Sequence, residues 1–360
     1  MKRVVITTGI FPPDIGGPAT FIPKFGEFLS SHNLDVVVVT LSEDASVQNH
    51  DYPFKVIRIR RSIKRWVRII VTVTRIASEM RKTEFLFCNG LYLETALALR
   101  FSLFKGRSLV KIVGDPVWER NRNHGLTEPS IHGKIERKLI TWSLQQFDLV
   151  TTPGESLAKL VESWNKKIIV KVVHNGVTIS SAYTDCHKKF DIIVVSRLVR
   201  WKNIDSVIQI ATQLNCSLAI IGNGPEESVL RNLSLGNSDI TFLGRRTNQE
   251  IVDLLGQSRI FCQLSDYEGL SFSLLQAMSS ALPCVLSNIE ANKDVFQSDP
   301  EAAIFVESKD LQEALSRFST LLNSPFMQKD LGARSRAIVI QKFNESDRMK
   351  EMMELLLNHD

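Results

Sequence analysis

At 360 residues, 44% apolar and 23% charged, the chain is long enough for two domains of ordinary size, and its composition is globular, which excludes a disordered or fibrous protein. Its net charge of +5 is unevenly spread: residues 1–175 hold 26 Lys and Arg against 16 Asp and Glu, and residues 176–360 hold 18 against 23. A basic first half suits an anionic partner, no apolar run reaches the ~18 residues of a membrane span, and the five scattered cysteines (Cys88, Cys186, Cys216, Cys262, Cys284) form no CxxC pair and read as reduced core thiols.

Residues 4–8 read as a buried strand that runs into a Gly- and Pro-rich loop, not into a signal-cleavage site. The loop holds Gly16 and Gly17, and an amphipathic helix follows to about residue 31. Strand, Gly-rich loop and helix open a nucleotide-binding half, but the GxGxxG spacing of a dinucleotide site is missing, so NAD and FAD are not expected. Further strands are predicted at 36–40 and 55–59. Arg58, Arg60, Arg61, Lys64, Arg65 and Arg68 then place six cations in eleven residues, ahead of the apolar 66–71. This reads as a basic amphipathic helix. It would attach to an anionic membrane face or capture a polyprenyl-phosphate-linked acceptor; a solvated face over a core helix is the plainer alternative.

A strand at 84–88, a helix at 94–104 and a strand at 108–113 come next, the last ending in Gly114-Asp115-Pro116. A side chain at the carboxyl end of a strand faces the ligand crevice of an open α/β sheet. Asp115 is therefore the first-half candidate for orienting acceptor or donor hydroxyls, with an Asx turn before Pro116 as the alternative. The polar residues 120–133 read as a loop that selects the acceptor, with His124 and His132 solvated. Helices at 135–146 and 156–164 and strands at 148–152 and 168–173 close this half.

The second half opens with a strand at 191–195, then Arg197, Lys202 and a helix. Two cations between a strand end and a helix start can stabilise a departing diphosphate, Arg bidentately and Lys as a point charge. A strand at 218–221 ends in Gly222-Asn223-Gly224-Pro225, and one at 240–243 ends in Gly244. No Walker lysine accompanies them, which excludes a P-loop NTPase. A strand at 260–264 leads into the polar loop of Glu268 and Gly269, which feeds a helix predicted at 271–281. Helix-start N–H groups and the dipole suit a phosphate, and Gly269 lets the backbone come close. Glu268, ahead of the N–H groups of residues 270–272, can accept hydrogen bonds from hydroxyls. A carboxylate beside a nest of N–H donors fits a sugar nucleotide.

Residues 265–283 resemble the signature of the GT4 family of retaining glycosyltransferases, roughly S-x-x-E-G-F-G-L-x-x-x-E-A-M-A-x-G-x-P-V. Glu268 matches the first acid; Gln276 replaces the second, and Ala281 stands at the usual Gly. Gly16-Gly17, Arg197 with Lys202 (the family's G-R-L-x-x-x-K-G), Gly222-x-Gly224-Pro225 and the hinge-like His174-Asn175-Gly176-Val177 resemble further family motifs in family order, while Gly114 replaces a His.

The resemblance implies an α/β fold of GT-B type: two Rossmann-like doubly wound parallel-sheet domains facing across a cleft. Residues 1–175 would bind the acceptor and 176–342 the nucleotide sugar, and a terminal helix in 343–360 would pack back on the first domain. Gly16, Gly17, Gly222, Gly244, Gly269, Leu270 and Ser271 would line the donor, with the base near Leu243-Gly244 and the ribose diol at Gln276. Arg197 and Lys202 would hold the diphosphate and Glu268 the sugar, with Asp115 as a further catalytic candidate. The expected function is transfer of a hexosyl unit, with retention, from a nucleoside-diphosphate sugar to a saccharide or lipid-linked saccharide acceptor in envelope polysaccharide or lipopolysaccharide synthesis. A sugar-nucleotide 2-epimerase of the same fold and a non-catalytic sugar-nucleotide-binding subunit are the alternatives. No cofactor or metal is expected, since no Asp-x-Asp or His cluster occurs, and nucleic acid is not an expected partner. The expected location is cytoplasmic, peripheral on the inner face of the cell membrane through Arg58–Arg68.

Overall fold

The computed structural model describes residues 1–14, 16–43, 51–123, 125, 130–179 and 188–358. Cys186, His124 and residues 126–129 of the expected acceptor loop lie outside them. The chain divides into two compact units: unit 1 is Met1–Trp118, Glu128–Val173 and Met349–Asp360, and unit 2 is Glu119–Thr127 and His174–Arg348. The main divide, at Val173/His174, falls beside the hinge-like stretch. The sequence showed no sign that Glu119–Thr127 would count with unit 2.

Unit 1 carries the strands Arg3–Thr8 (β1), Asp35–Ser42 (β2), Lys55–Arg60 (β3), Phe85–Asn89 (β4), Arg107–Lys111 (β5), Leu149–Thr152 (β6) and Val170–Val172 (β7). They form one sheet in the order β3-β2-β1-β4-β5-β6-β7, parallel throughout. Near-continuous apolar runs such as Val36–Val39, fully buried, suit strands covered on both faces. The helices are Gly17–Ser31 (α1), Arg65–Met80 (α2), Tyr92–Phe101 (α3), Pro116–Asn123 (α4, which counts with unit 2 from Glu119 onward), Ile131–Leu144 (α5) and Glu155–Trp164 (α6). Ile76 and Met80 of α2, Ala96 and Ala98 of α3, Ile140 and Leu144 of α5 and Leu157 and Val161 of α6 pack with Val5, Val37, Leu86 and Val110 of the sheet on one face. Phe21 and Phe25 of α1 meet Phe87 on the other.

Lys111 is buried in β5, with Nζ 4.8 Å from the Phe21 ring centroid and 3.4 Å from the Val173 carbonyl oxygen. Burial lowers its pKa to about 7, against a smaller upward pull from Glu351.

Unit 2 carries the strands Phe190–Val195 (β8), Leu218–Ile221 (β9), Ile240–Gly244 (β10), Ser258–Gln263 (β11), Cys284–Ser287 (β12) and Ile304–Val306 (β13). They too form a parallel sheet, ordered β10-β9-β8-β11-β12-β13. Its helices are Ile204–Gln213 (α7), Glu227–Leu233 (α8), Asn248–Gly256 (α9), Phe272–Ser279 (α10), Glu290–Val295 (α11), Leu311–Leu322 (α12) and Pro325–Lys342 (α13). α7 and α12 cover one face of the sheet, and α9, α10 and α13 the other. The last helix, Glu345–Leu357 (α14), counts with unit 1 from Met349 onward.

Cys88, Cys216, Cys262 and Cys284 are buried free thiols. Burial pushes Cys88 up to about 12 and Cys216 up to about 11. They are inert core groups at neutral pH.

Candidate active site

In unit 2 the strand order reverses direction between β8 and β11. Loops leaving the carboxyl ends of two such strands diverge to opposite faces and open the crevice where α/β sheets bind ligands. The β8 loop carries Arg197 and Lys202, and the β11 loop carries Glu268 and Gly269. Lys202 Nζ donates to Glu268 Oε1 at 2.5 Å, and both side chains are nearly buried, 11% and 12% exposed. Ser265 Oγ donates to the same Oε1 at 2.7 Å. Arg197 is exposed, its Nη2 2.9 Å from Glu119 Oε2 in α4 and its guanidinium 5.7 Å from the Trp201 ring centroid.

Several residues that sequence reasoning passed over hold this arrangement. Asn203 sits in the left-handed region (φ 48°) where the family motif has Gly, a substitution Asn tolerates. Its Nδ2 donates to the Leu264 carbonyl at 2.8 Å and to Asp266 Oδ1 at 2.7 Å, and the Asp266 N–H donates to the Trp201 carbonyl at 2.8 Å. These bonds tie the two loops together. Beneath them Ser287 Oγ donates to the Ser265 carbonyl at 2.6 Å, and Asn292 Nδ2 to the Ser287 carbonyl at 2.9 Å. A Gly-to-Asn departure was the one available signal for Asn203. Ser287 and Asn292 had none.

Helix α10 starts at Phe272, one residue later than expected, because Ser271 is its N-cap: Ser271 Oγ accepts from the Leu274 N–H at 3.2 Å and donates to Gln263 Oε1 at 2.6 Å. Gln276 is half-buried one turn into α10, and Leu270 is buried below the loop. The helix stops at Ser279, short of the predicted end, and Ala281 takes a left-handed conformation (φ 55°) where glycine is favoured.

The glycines after β9 act on the Arg197 loop. A Cβ on Gly222 (φ 131°) would collide with the Ser196 carbonyl oxygen, and one on Gly224 with that of Leu198. The Leu198 N–H donates to the Asn223 carbonyl at 2.9 Å, so this turn buttresses the loop from behind. Gly244 closes β10 at φ 66°.

Unit 1 has its own reversal, between β1 and β4. Gly16 and Gly17 follow β1 there, with Gly16 (φ 151°) capping α1. Asp115 is only 3% exposed. Its Oδ1 accepts from the N–H groups of Val117 and Trp118 at 3.0 and 2.9 Å, and its carboxylate takes Arg137 Nη2 at 2.6 and 2.5 Å. The carboxylate expected to orient substrate hydroxyls is thus committed to capping α4 and pairing with Arg137, as the Asx-turn alternative describes. The cation run also divides. Arg61 pairs with Asp14 at 2.6 Å and donates to the Gly9 carbonyl at 2.8 Å, which draws its pKa up through the Asp14 hydrogen bond. Arg58 lies over the Phe11 ring, 5.4 Å from its centroid, and Arg68 donates to the Arg61 carbonyl. Two of the six cations, Arg58 and Arg61, therefore brace the loop after β1, and Arg68 holds the backbone at Arg61, just after β3.

Residues 180–338 match the model of the family described as glycosyl transferases group 1. The chain is similar to N-acetyl-alpha-D-glucosaminyl L-malate synthase of Bacillus anthracis, 25% identical over 238 residues that make up 60% of each chain. It thus spans less than two thirds of that relative's length. Among solved structures, sucrose-phosphate synthase of Thermosynechococcus elongatus superposes with a TM-score of 0.84 at 16% identity, over 99% of this chain and 98% of the other. HepE of Anabaena, in complex with UDP and glucose, superposes with a TM-score of 0.79 at 14% identity, over 99% of both chains. The fold is that of the GT-B glycosyltransferases, and the family match and the relative support a group 1 glycosyltransferase.

Proposed function

We propose that the chain is a retaining hexosyltransferase of GT4 type, which takes a nucleoside-diphosphate sugar on unit 2 and a saccharide or lipid-linked saccharide of the cell envelope on unit 1. The Lys202–Glu268 pair, built from the two loops that flank the unit 2 switch point, carries the proposal. An ammonium group has three donors, so Lys202 can hold Glu268 and still meet a diphosphate oxygen. Arg197 supplies a second cation and the N–H groups at the mouth of α10 a third source of positive field. Glu268 accepts from sugar hydroxyls and Gln276 from the ribose diol.

The bond from the anomeric carbon to the diphosphate oxygen breaks while the acceptor oxygen bonds to the same face. The acceptor proton passes to an oxygen of the departing diphosphate, whose growing charge the two cations stabilise. These cations do the work a metal does elsewhere, and no metal is part of the proposal. The reaction is placed in the cytoplasm at the inner membrane face, to which the basic region around Arg58–Arg68 attaches.

Donors to try first are UDP-linked glucose and N-acetylglucosamine; the name of the Bacillus anthracis relative, N-acetyl-alpha-D-glucosaminyl L-malate synthase, supports the second. Products from a panel of labelled donors and saccharide acceptors test the reading. Label in a new glycoside supports it; an epimerised sugar nucleotide, or binding without turnover across the panel, overturns it.

A further inference from the structure

With Arg58 and Arg61 turned to the loop after β1 and Arg68 to the Arg61 carbonyl, the outer face of α2 has a different character from the one the cation count suggests. Arg60, Lys64 and Arg65 are exposed. Beside them stand Trp66, Val67, Ile70 and Val71, with Trp66 77% and Ile70 62% exposed. They lie on the side of α2 away from its buried Thr72, Ile76 and Met80. No Asp or Glu occurs from residue 55 to residue 78.

Helix α5 repeats the design. Ile131, Ile135 and Leu139 recur every fourth residue and so share one stripe. Ile131 is 77% and Ile135 54% exposed, and the exposed Lys134 and Lys138 flank the stripe. Helix α3 packs against both α2 and α5, so the three form one layer on one face of the unit 1 sheet. In both helices the exposed apolar residues occupy the N-terminal portion. In a parallel βαβ crossover that end lies beside the carboxyl ends of the strands.

We infer that the N-terminal portions of α2 and α5 form a two-helix face that inserts into the interface of an anionic phospholipid bilayer. Trp66, Ile70, Ile131 and Ile135 enter the acyl boundary, and Arg60, Lys64, Arg65, Lys134 and Lys138 meet the headgroups. Interfacial helices pair an apolar stripe with flanking Lys and Arg in this way, and Trp favours that depth. Charge selects the occupant: pairing this face with that of a second copy would bring ten cations together, whereas an anionic leaflet neutralises them. The inference deepens the proposed membrane attachment by changing its kind, from a cation run on one helix to apolar insertion by two, at the end of unit 1 where a lipid-linked acceptor would be met.

Vesicle co-sedimentation of the full chain tests it, and because no donor is present the result stands whether or not glycosyl transfer is found. The chain should sediment with vesicles of phosphatidylcholine mixed with phosphatidylglycerol, much less with phosphatidylcholine alone, and retain part of its binding in high salt, because insertion is not screened. Trp66→Ser with Ile70→Ser on α2, and Ile131→Ser with Ile135→Ser on α5, should each lower partitioning about tenfold with the thermal midpoint unchanged. The inference is overturned if the wild-type chain stays in the supernatant with anionic vesicles, or if the α5 pair binds like wild type. It is also overturned if the variants shift the elution volume of the chain but leave vesicle binding intact, which would make the face a contact between copies.

Discussion

At the switch point of unit 2, Lys202 and Glu268 meet from two different loops and Arg197 reaches Glu119 from an exposed position. After β5 and β3 of unit 1, Asp115 is closed in by Arg137 and two backbone N–H groups, and Arg61 by Asp14 and the Gly9 carbonyl. Both sheets are parallel and both reverse order once. One joins the two loops at its switch point through the Lys202–Glu268 pair, and the other spends its charges on capping α4 and bracing the loop after β1. A shared fold therefore places charged side chains after strand ends in both units without giving them equivalent jobs; the hydrogen-bond partners decide what each charge does.

Substitutions can break this contrast. The largest effect is expected for Lys202→Ala, which should lower the kcat of the folded fraction about 10²–10³-fold, as loss of one oriented donor to transition-state charge does; an unchanged kcat would remove Lys202 from the chemistry. Asp115→Ala should act on stability instead. Loss of a buried ion pair and a helix cap costs about 3–5 kcal/mol, read as a lower urea midpoint, and the residual kcat of the folded fraction should stay close to wild type.

Lys111→Met sharpens the unit 1 side. The folded pKa of Lys111, about 7, lies below its ordinary 10.5. The unfolded chain therefore binds the extra proton between these values, and wild-type stability rises with pH across that window. Below pH 7 the lysine is charged in both states and its burial penalty is fully present. The methionine variant should thus be more stable there by on the order of a few kcal/mol, and its advantage should shrink as pH approaches 10.5. A flat difference in unfolding midpoint across that range would contradict the burial. The smallest effect is expected for Gln276→Glu: a charged acceptor at a ribose diol gains on the order of 1 kcal/mol over a neutral one, so the donor KM should fall several-fold with kcat steady. An unaltered KM would dissociate Gln276 from the ribose.

Much of the architecture could be read from residue order. Apolar β-branched runs of strand length alternating with amphipathic stretches are local patterns, and they correspond to parallel strands and helices in both units. The position of Arg197, Lys202 and Glu268 in loops after strand ends was legible because each follows its strand within a few residues. Asn203 was half legible, as a departure from Gly. Asp115 looked like a substrate ligand because its partner, Arg137, lies 22 residues away, beyond any local pattern. The cation run was legible only in part for the same reason: Asp14, 47 residues before Arg61, takes one of its members, and Phe11 takes another.

By itself the sequence determined where strands and helices form and which strand ends carry charge, because hydrophobic periodicity and turn chemistry act over a few residues. Tertiary structure alone decided which of those charges are consumed. It set Arg137 on Asp115, Asp14 on Arg61 and Lys202 on Glu268, and it left the apolar stripes of α2 and α5 facing outward. Ion pairing and burial depend on distances through space between residues far apart in the chain, and those distances exist only once the sheets have formed.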